Sequence, residues 1–273
     1  MNMESAEFSE NICDDFSEPQ TFVPAHVPIE VQRHNTPCVA YRSERWDAIG
    51  YRVNMEKTAI EQENGMLCTD ITEYIASYAT LAFHFREPAF HLTDREYITV
   101  VFDVNACFAP KSGDDPADAR TWIDVLFVPA GEVPVRPQSQ NATKDFTVSQ
   151  RGLAVSIYAD RLFSNEFAAD GKHRSLNKSD RSALNGKVYS PRLHHFRLAV
   201  GLDHVRINED GTVLPAILFS RPIPWLREGV DIWFAHQRYN IAHATPRVQR
   251  FYPKPLKPHR LMWDNIGCFI APP

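Results

Sequence analysis

The chain has 273 residues, 44% hydrophobic and 11% aromatic, with 29 basic against 34 acidic side chains and a net charge of −5. That is enough apolar material for a sizeable core, while the mixed, slightly acidic surface excludes the concentrated basic face of a nucleic-acid groove. No apolar run reaches the length of a membrane span, and twenty prolines against eleven glycines predict many short strands with stiff connections.

Residues 1–11 are polar and acidic, lack a basic-then-apolar signal pattern, and read as a flexible leader to a single domain over residues 12–273. Short extended pieces follow at Thr21–Val27, Ala48–Val53 and Gly65–Thr69, punctuated by proline and Asn-Gly. Asp70–Tyr78 fits a brief helix or a strand equally well. Alternation is clearest from residue 80 onward. Tyr97–Val104 places Ile98, Val100, Phe102 and Val104 on one wholly apolar face. Thr121–Val128 repeats this, with Ile123, Val125 and Phe127 inward and Trp122, Asp124 and Leu126 on the other side. Gly152–Tyr158 and His194–Val200 are further strands, separated by a short helix predicted over Asp160–Ala169. His204–Ile207 reaches Glu209-Asp210-Gly211, a hairpin signal because such a turn needs positive φ. Val213–Phe219 returns from it, and Val230–His236 follows a Pro-Ile-Pro-Trp connection. With no βαβ rhythm and no repeat, the pattern is an all-β, antiparallel two-sheet jelly-roll sandwich.

Cys13, Cys38, Cys68, Cys107 and Cys268 are scattered without a Cys-x-x-Cys pair, which argues against structural zinc. His194 and His195 are adjacent on a strand, so they point to opposite faces and do not chelate together.

Four stretches carry a resemblance. Cys13-Asp14-Asp15-Phe16-Ser17, the Arg120-x-Trp122-x-Asp124 strand, Phe234-Ala235-His236-Gln237-Arg238-Tyr239-Asn240 and Trp263-Asp264-Asn265-Ile266 occur in that order. Together they make the chain resemble the concanavalin A-like lectin/glucanase superfamily over about residues 12–270. The narrower similarity is to secreted bacterial members whose last strands read roughly Phe-Gly-His-His-Ser-Tyr-Asn-Pro and Trp-His-Trp-Asp-Asn. The chain departs from them at Gln237-Arg238 and at Pro258–Met262.

The resemblance implies a secreted protein whose concave sheet faces a glycan. Enzymes of the superfamily carry two carboxylates two or four residues apart on one strand. Glu61 and Glu63 have that spacing, but they sit in a polar stretch before Asn64-Gly65 that reads as a solvated turn. Asp124, between Trp122 and Leu126 with Arg120 two steps further, suits sugar contact, a buried Asp–Arg pair, or catalysis. His236 and Tyr239, with Trp233, His194 and His195, would line a cleft; as base and acid His236 and Tyr239 suit a polysaccharide lyase. Asp15 and Asp264, brought together by a closing sandwich, would hold structural calcium or cap turns. Cys13 and Cys268 would bridge in an oxidising compartment. The expected function is carbohydrate binding through Arg120, Trp122, Asp124, His236 and Tyr239. The alternatives are a glycoside hydrolase or polysaccharide lyase of the same fold, and an adhesion module without a small ligand.

Overall fold

The computed structural model describes residues 12–25, 38–51, 58–71, 78–86, 89–105, 121–132, 151–158, 161–167, 173–180, 192–239 and 259–272. Seventeen strands run along them. The first seven are β1 (Ile12–Asp14), β2 (Val23–Pro24), β3 (Cys38–Arg42), β4 (Trp46–Tyr51), β5 (Thr58–Glu63), β6 (Met66–Ile71) and β7 (Tyr78–Phe85). The middle of the chain forms β8 (Tyr97–Val104), β9 (Thr121–Pro129), β10 (Gly152–Ile157), β11 (Arg161–Phe167) and β12 (His173–Asp180). The last five are β13 (His194–Val200), β14 (His204–Glu209), β15 (Thr212–Leu218), β16 (Val230–Tyr239) and β17 (His259–Ala271).

The strands form two antiparallel sheets. One runs β15-β14-β13-β8-β17-β6-β5, with β1 also paired to β17; the other runs β12-β11-β10-β9-β16-β7-β4-β3-β2. The last two strands therefore lie inside the sheets, β16 between β9 and β7, and β17 between β8 and the pair β6 and β1.

Period-two alternation explains the core. Ile98, Val100, Phe102 and Val104 of β8 are fully buried, as are Ile123, Val125 and Phe127 of β9. Between the sheets the aromatic rings interlock. Trp263 meets Phe83 edge-on at 5.2 Å, and Phe83 stacks on Phe234 at 5.6 Å. The hairpin expected after Glu209 forms, with Asp210 at φ 52° and Gly211 at φ 79°. Asn64-Gly65 makes a second turn of this kind between β5 and β6.

The helix expected over Asp160–Ala169 is instead strand β11, paired to β10 and β12. Its register shifts between Phe163 and Asn165, and that bulge breaks the two-residue period that would have identified a strand. Residues 72–77 of the ambiguous Asp70–Tyr78 stretch lie outside the described residues.

Candidate functional site

Along β16 the faces separate cleanly. Ile232 and Phe234 join the core between the sheets, and His236 and Arg238 follow at the same two-residue spacing; Asp231, Trp233, Ala235 and Gln237 occupy the outer face. His236 therefore does not share a face with Trp122 and Asp124, contrary to the sequence expectation. Its Nδ1 lies 3.2 Å from the Thr69 hydroxyl, which also accepts the Trp263 indole N–H at 2.9 Å. This buried chain of three polar groups joins the sheets. Arg238, also fully buried, donates to the Ile71 carbonyl at 3.0 Å. Tyr239 ends β16, and its side chain is outside the described set, as is Arg120.

Trp122 and Asp124 do lie together on the outer face of the nine-stranded sheet, and both are buried. The Asp124 carboxylate accepts the Trp122 indole N–H at 3.2 Å and the Gln237 amide at 2.9 Å; Gln237 in turn accepts from Thr80. Gln237, one of the departures from the family pattern, thus fixes Asp124 across two strands.

Glu61 and Glu63 share a face of β5, where both pair with Arg260. An exposed ion cluster clamping β5 to β17 accounts for their spacing. His194 and His195 diverge as period two requires. His195 Nδ1 meets Asp103 at 2.6 Å, while His194 Nδ1 meets Glu209 at 3.3 Å and Asp210 at 3.0 Å. The ligand atoms of His194, Glu209 and Asp210 lie within 4.8 Å of one another. Arg192 also pairs with Asp210 at 2.8 Å, so the group reads as a charged knot closing the β14–β15 hairpin.

At the seam, Asp14 turns inward and accepts from the Trp46 indole and the Phe16 amide, each at 2.8 Å. Asp264 is repelled by Asp103 and then by Asp15 and Asp14, so closure does bring the two ends near each other. Burial is the larger cause pushing the Asp264 carboxyl up. Yet Asp15 is committed to the Ser17 amide and hydroxyl, and Asp264 to the Asn265 amide. Among the described residues neither belongs to a close group of three His, Cys, Asp or Glu ligand atoms. Cys13 and Cys268 are both free thiols. Cys268 is register partner of Ile12 and faces the core, whereas Cys13 opposes Gly267 and faces out. Adjacent register on one strand pair points them apart, so the expected bridge does not form.

A pocket of about 250 Å³ opens on the outer face of the nine-stranded sheet, lined by Tyr41, Arg42, Asp47, His84, Asp231 and Trp233 among others. Cross-strand register puts Asp47, His84 and Trp233 in one row over β4, β7 and β16. The His84 imidazole lies flat on the Trp233 indole, with centroids 3.8 Å apart and planes at 19°. Burial pushes the His84 pKa down to about 4 despite Asp47 beside it, so the ring is neutral at pH 7. Arg42 holds Asp47 through both oxygens, at 2.6 and 3.2 Å. Asp231 accepts the Gly131 amide at 2.7 Å, which brings the 130–132 turn and Glu132 to the rim. Burial pushes both the Asp231 and the Glu132 carboxyls up. The result is a stacked aromatic pair in the pocket lining with fixed hydrogen-bonding groups beside it. Trp233 was visible in the sequence; His84, Asp231 and Glu132 carried no local signal, because only strand register gathers them.

No protein-family model matches the chain, and no curated protein matches it in sequence. Solved structures do match. An endo-β-galactosidase from Clostridium perfringens that releases GlcNAcα1-4Gal superposes with TM-score 0.52 at 12% identity, covering 100% of this chain and 64% of that one. The β-glucanase of Bacillus licheniformis gives TM-score 0.50 at 7% identity, covering 95% and 98%. The fold is thus the concanavalin A-like jelly roll expected from the sequence. Among the described residues, no helix is long and apolar enough to cross a membrane.

Proposed function

We propose that this chain binds a carbohydrate on the outer face of the nine-stranded sheet, in the pocket lined by Trp233 and His84. The observation that carries this reading is the parallel indole–imidazole stack lining an open pocket edged by paired charges. A pyranose presents an apolar C–H surface, which suits an aromatic lining, and a rim of hydroxyls, which suits carboxylate and guanidinium groups. Trp122, Asp124 and Gln237, buried and bonded to one another on the same face, tie β9 to β16. The two structural neighbours bear names of enzymes acting on glycans, which adds weight to the ligand class, and an extracellular polymer is the source this implies.

The test is a glycan array followed by calorimetry on the best hit. Trp233→Ala should weaken binding at least tenfold while leaving the far-ultraviolet circular dichroism unchanged. No glycan bound by the wild type, or equal binding by the variant, removes the proposal. Hydrolysis is the second reading, favoured by Asp231 and Glu132 sharing one pocket as carboxyls that burial holds toward the acid form. New reducing ends from a polysaccharide panel, lost in Asp231→Asn, would select it over simple binding.

A further inference from the structure

The outer face of the opposite, eight-stranded sheet carries a second pocket of about 310 Å³, lined by Tyr97, Thr99, Arg197, Ala199, Arg206 and Asn208 among others. Register explains its shape. Thr99, Ala199 and Arg206 stand in one row across β8, β13 and β14, and Val101, Arg197 and Asn208 in the next. Small side chains at Thr99 and Ala199 leave the floor low, while Arg197 and Arg206 rise beside it.

Arg206 is held in place. Its guanidinium lies 4.7 Å above the Tyr97 ring, and its Nε donates to His204 Nε2 at 3.2 Å. An arginine Nε only donates, so His204 Nε2 is the acceptor and its proton sits on Nδ1, facing the Asp203 carboxylate at 2.6 Å. The Tyr97 hydroxyl lies 3.1 Å from the same Nε2. Gly201 lies against the Tyr97 ring, where a Cβ would come within 2.9 Å of it. Asp203, His204 and Tyr97 thus set one guanidinium at the pocket wall.

The charge balance is unusual for this surface. Arg42, Arg86, Arg151, Arg192, Arg227 and Arg260 each lie within ion-pair distance of a carboxylate. Among the described residues Arg197 and Arg206 have none, and no carboxylate lines the pocket they share. Asn208 Oδ1 accepts the Gly211 amide at 3.0 Å, which leaves its NH2 group as a further donor. Two guanidiniums and an amide around a small concavity, with no acid to neutralise them, match an oxyanion.

We propose that this pocket is a second ligand site, separate from the carbohydrate pocket on the other sheet, that binds a carboxylate, sulfate or phosphate group through Arg197 and Arg206. The full chain is titrated by calorimetry with sodium glucuronate, sulfate and phosphate, each at constant ionic strength in chloride. Saturable one-to-one binding of at least one probe is expected, and the preferred probe identifies the source of the oxyanion. Arg197→Ala removes an exposed side chain and should weaken that binding at least tenfold. Arg206→Gln should do the same. Arg260→Ala, which deletes the same charge at a paired position of the same sheet, should leave it within twofold. Matching melting curves establish that the variants fold. Binding of none of the three probes, or an equal loss in Arg260→Ala, overturns the proposal.

Discussion

Replacing His84 by phenylalanine keeps a flat ring on Trp233 and removes one proton site, which makes the pH dependence of stability a direct test of the pocket. The folded pKa is about 4 because burial disfavours the imidazolium, while the unfolded chain has the ordinary value near 6.5. Between those values the unfolded state binds more protons than the folded one. The wild type therefore loses stability from this site as pH falls from about 6.5 to about 4, and is free of the penalty above that window. At about 1.4 kcal/mol per pH unit, the gap corresponds to about 3 kcal/mol, which the ring's partial exposure trims to about 2 kcal/mol. The assay is urea unfolding followed by circular dichroism at pH 7.5, 6.5, 5.5 and 4.5, for wild type and variant. The difference between the two should swing by about 2 kcal/mol in favour of phenylalanine from pH 7.5 to 4.5. Asp231, Glu132 and Asp264 have carboxyls pushed up, so they stabilise the fold toward acid, but they do so in both proteins and cancel. Parallel stability profiles would refute the buried, neutral His84 on which the pocket's description rests.

Thr69→Val keeps the shape but strands the Trp263 indole and His236, so it should cost about 2–4 kcal/mol by chemical denaturation, whereas Thr69→Ser should recover most of the loss. In native protein treated with a thiol reagent, Cys13→Ser should remove one fast-reacting thiol and Cys268→Ser none. Cys13 is exposed, whereas burial pushes the Cys268 thiol far up and hides it.

Where a strand alternates strictly, its place in the fold was legible. The apolar rows of β8 and β9 could be written down residue by residue, and both are buried as written. Where a bulge inserts a residue, as in β11, the period is lost and the segment looks helical. The candidate site was less legible for a different reason. Trp233 and His236 are three residues apart, so period two alone already sets them on opposite faces. Combining His236 with Trp122 and Asp124, by contrast, needed the register between β16 and β9, where His236 opposes Ile123. Register is decided by the whole sheet and not by either strand. The same holds for Cys13 and Cys268, near enough to suggest a bridge yet one step out of line. The pocket itself draws on β3, β4, β7, β16 and the turn after β9, and no linear motif spans such a set.

The interior positions of β16 and β17 have a consequence for biosynthesis. Until residues 230–239 have been made, β9 and β7 have no strand between them, and until residues 259–271 follow, β8 and β6 have none either. At typical elongation rates the emerging chain therefore spends on the order of ten seconds or more with four apolar strand edges open. Both halves of each sheet are held apart by absent neighbours, and the contacts that close them are among the most distant in sequence. Whatever shields those edges until β16 and β17 have been made should govern the yield of folded protein more than the stability of the finished sandwich does.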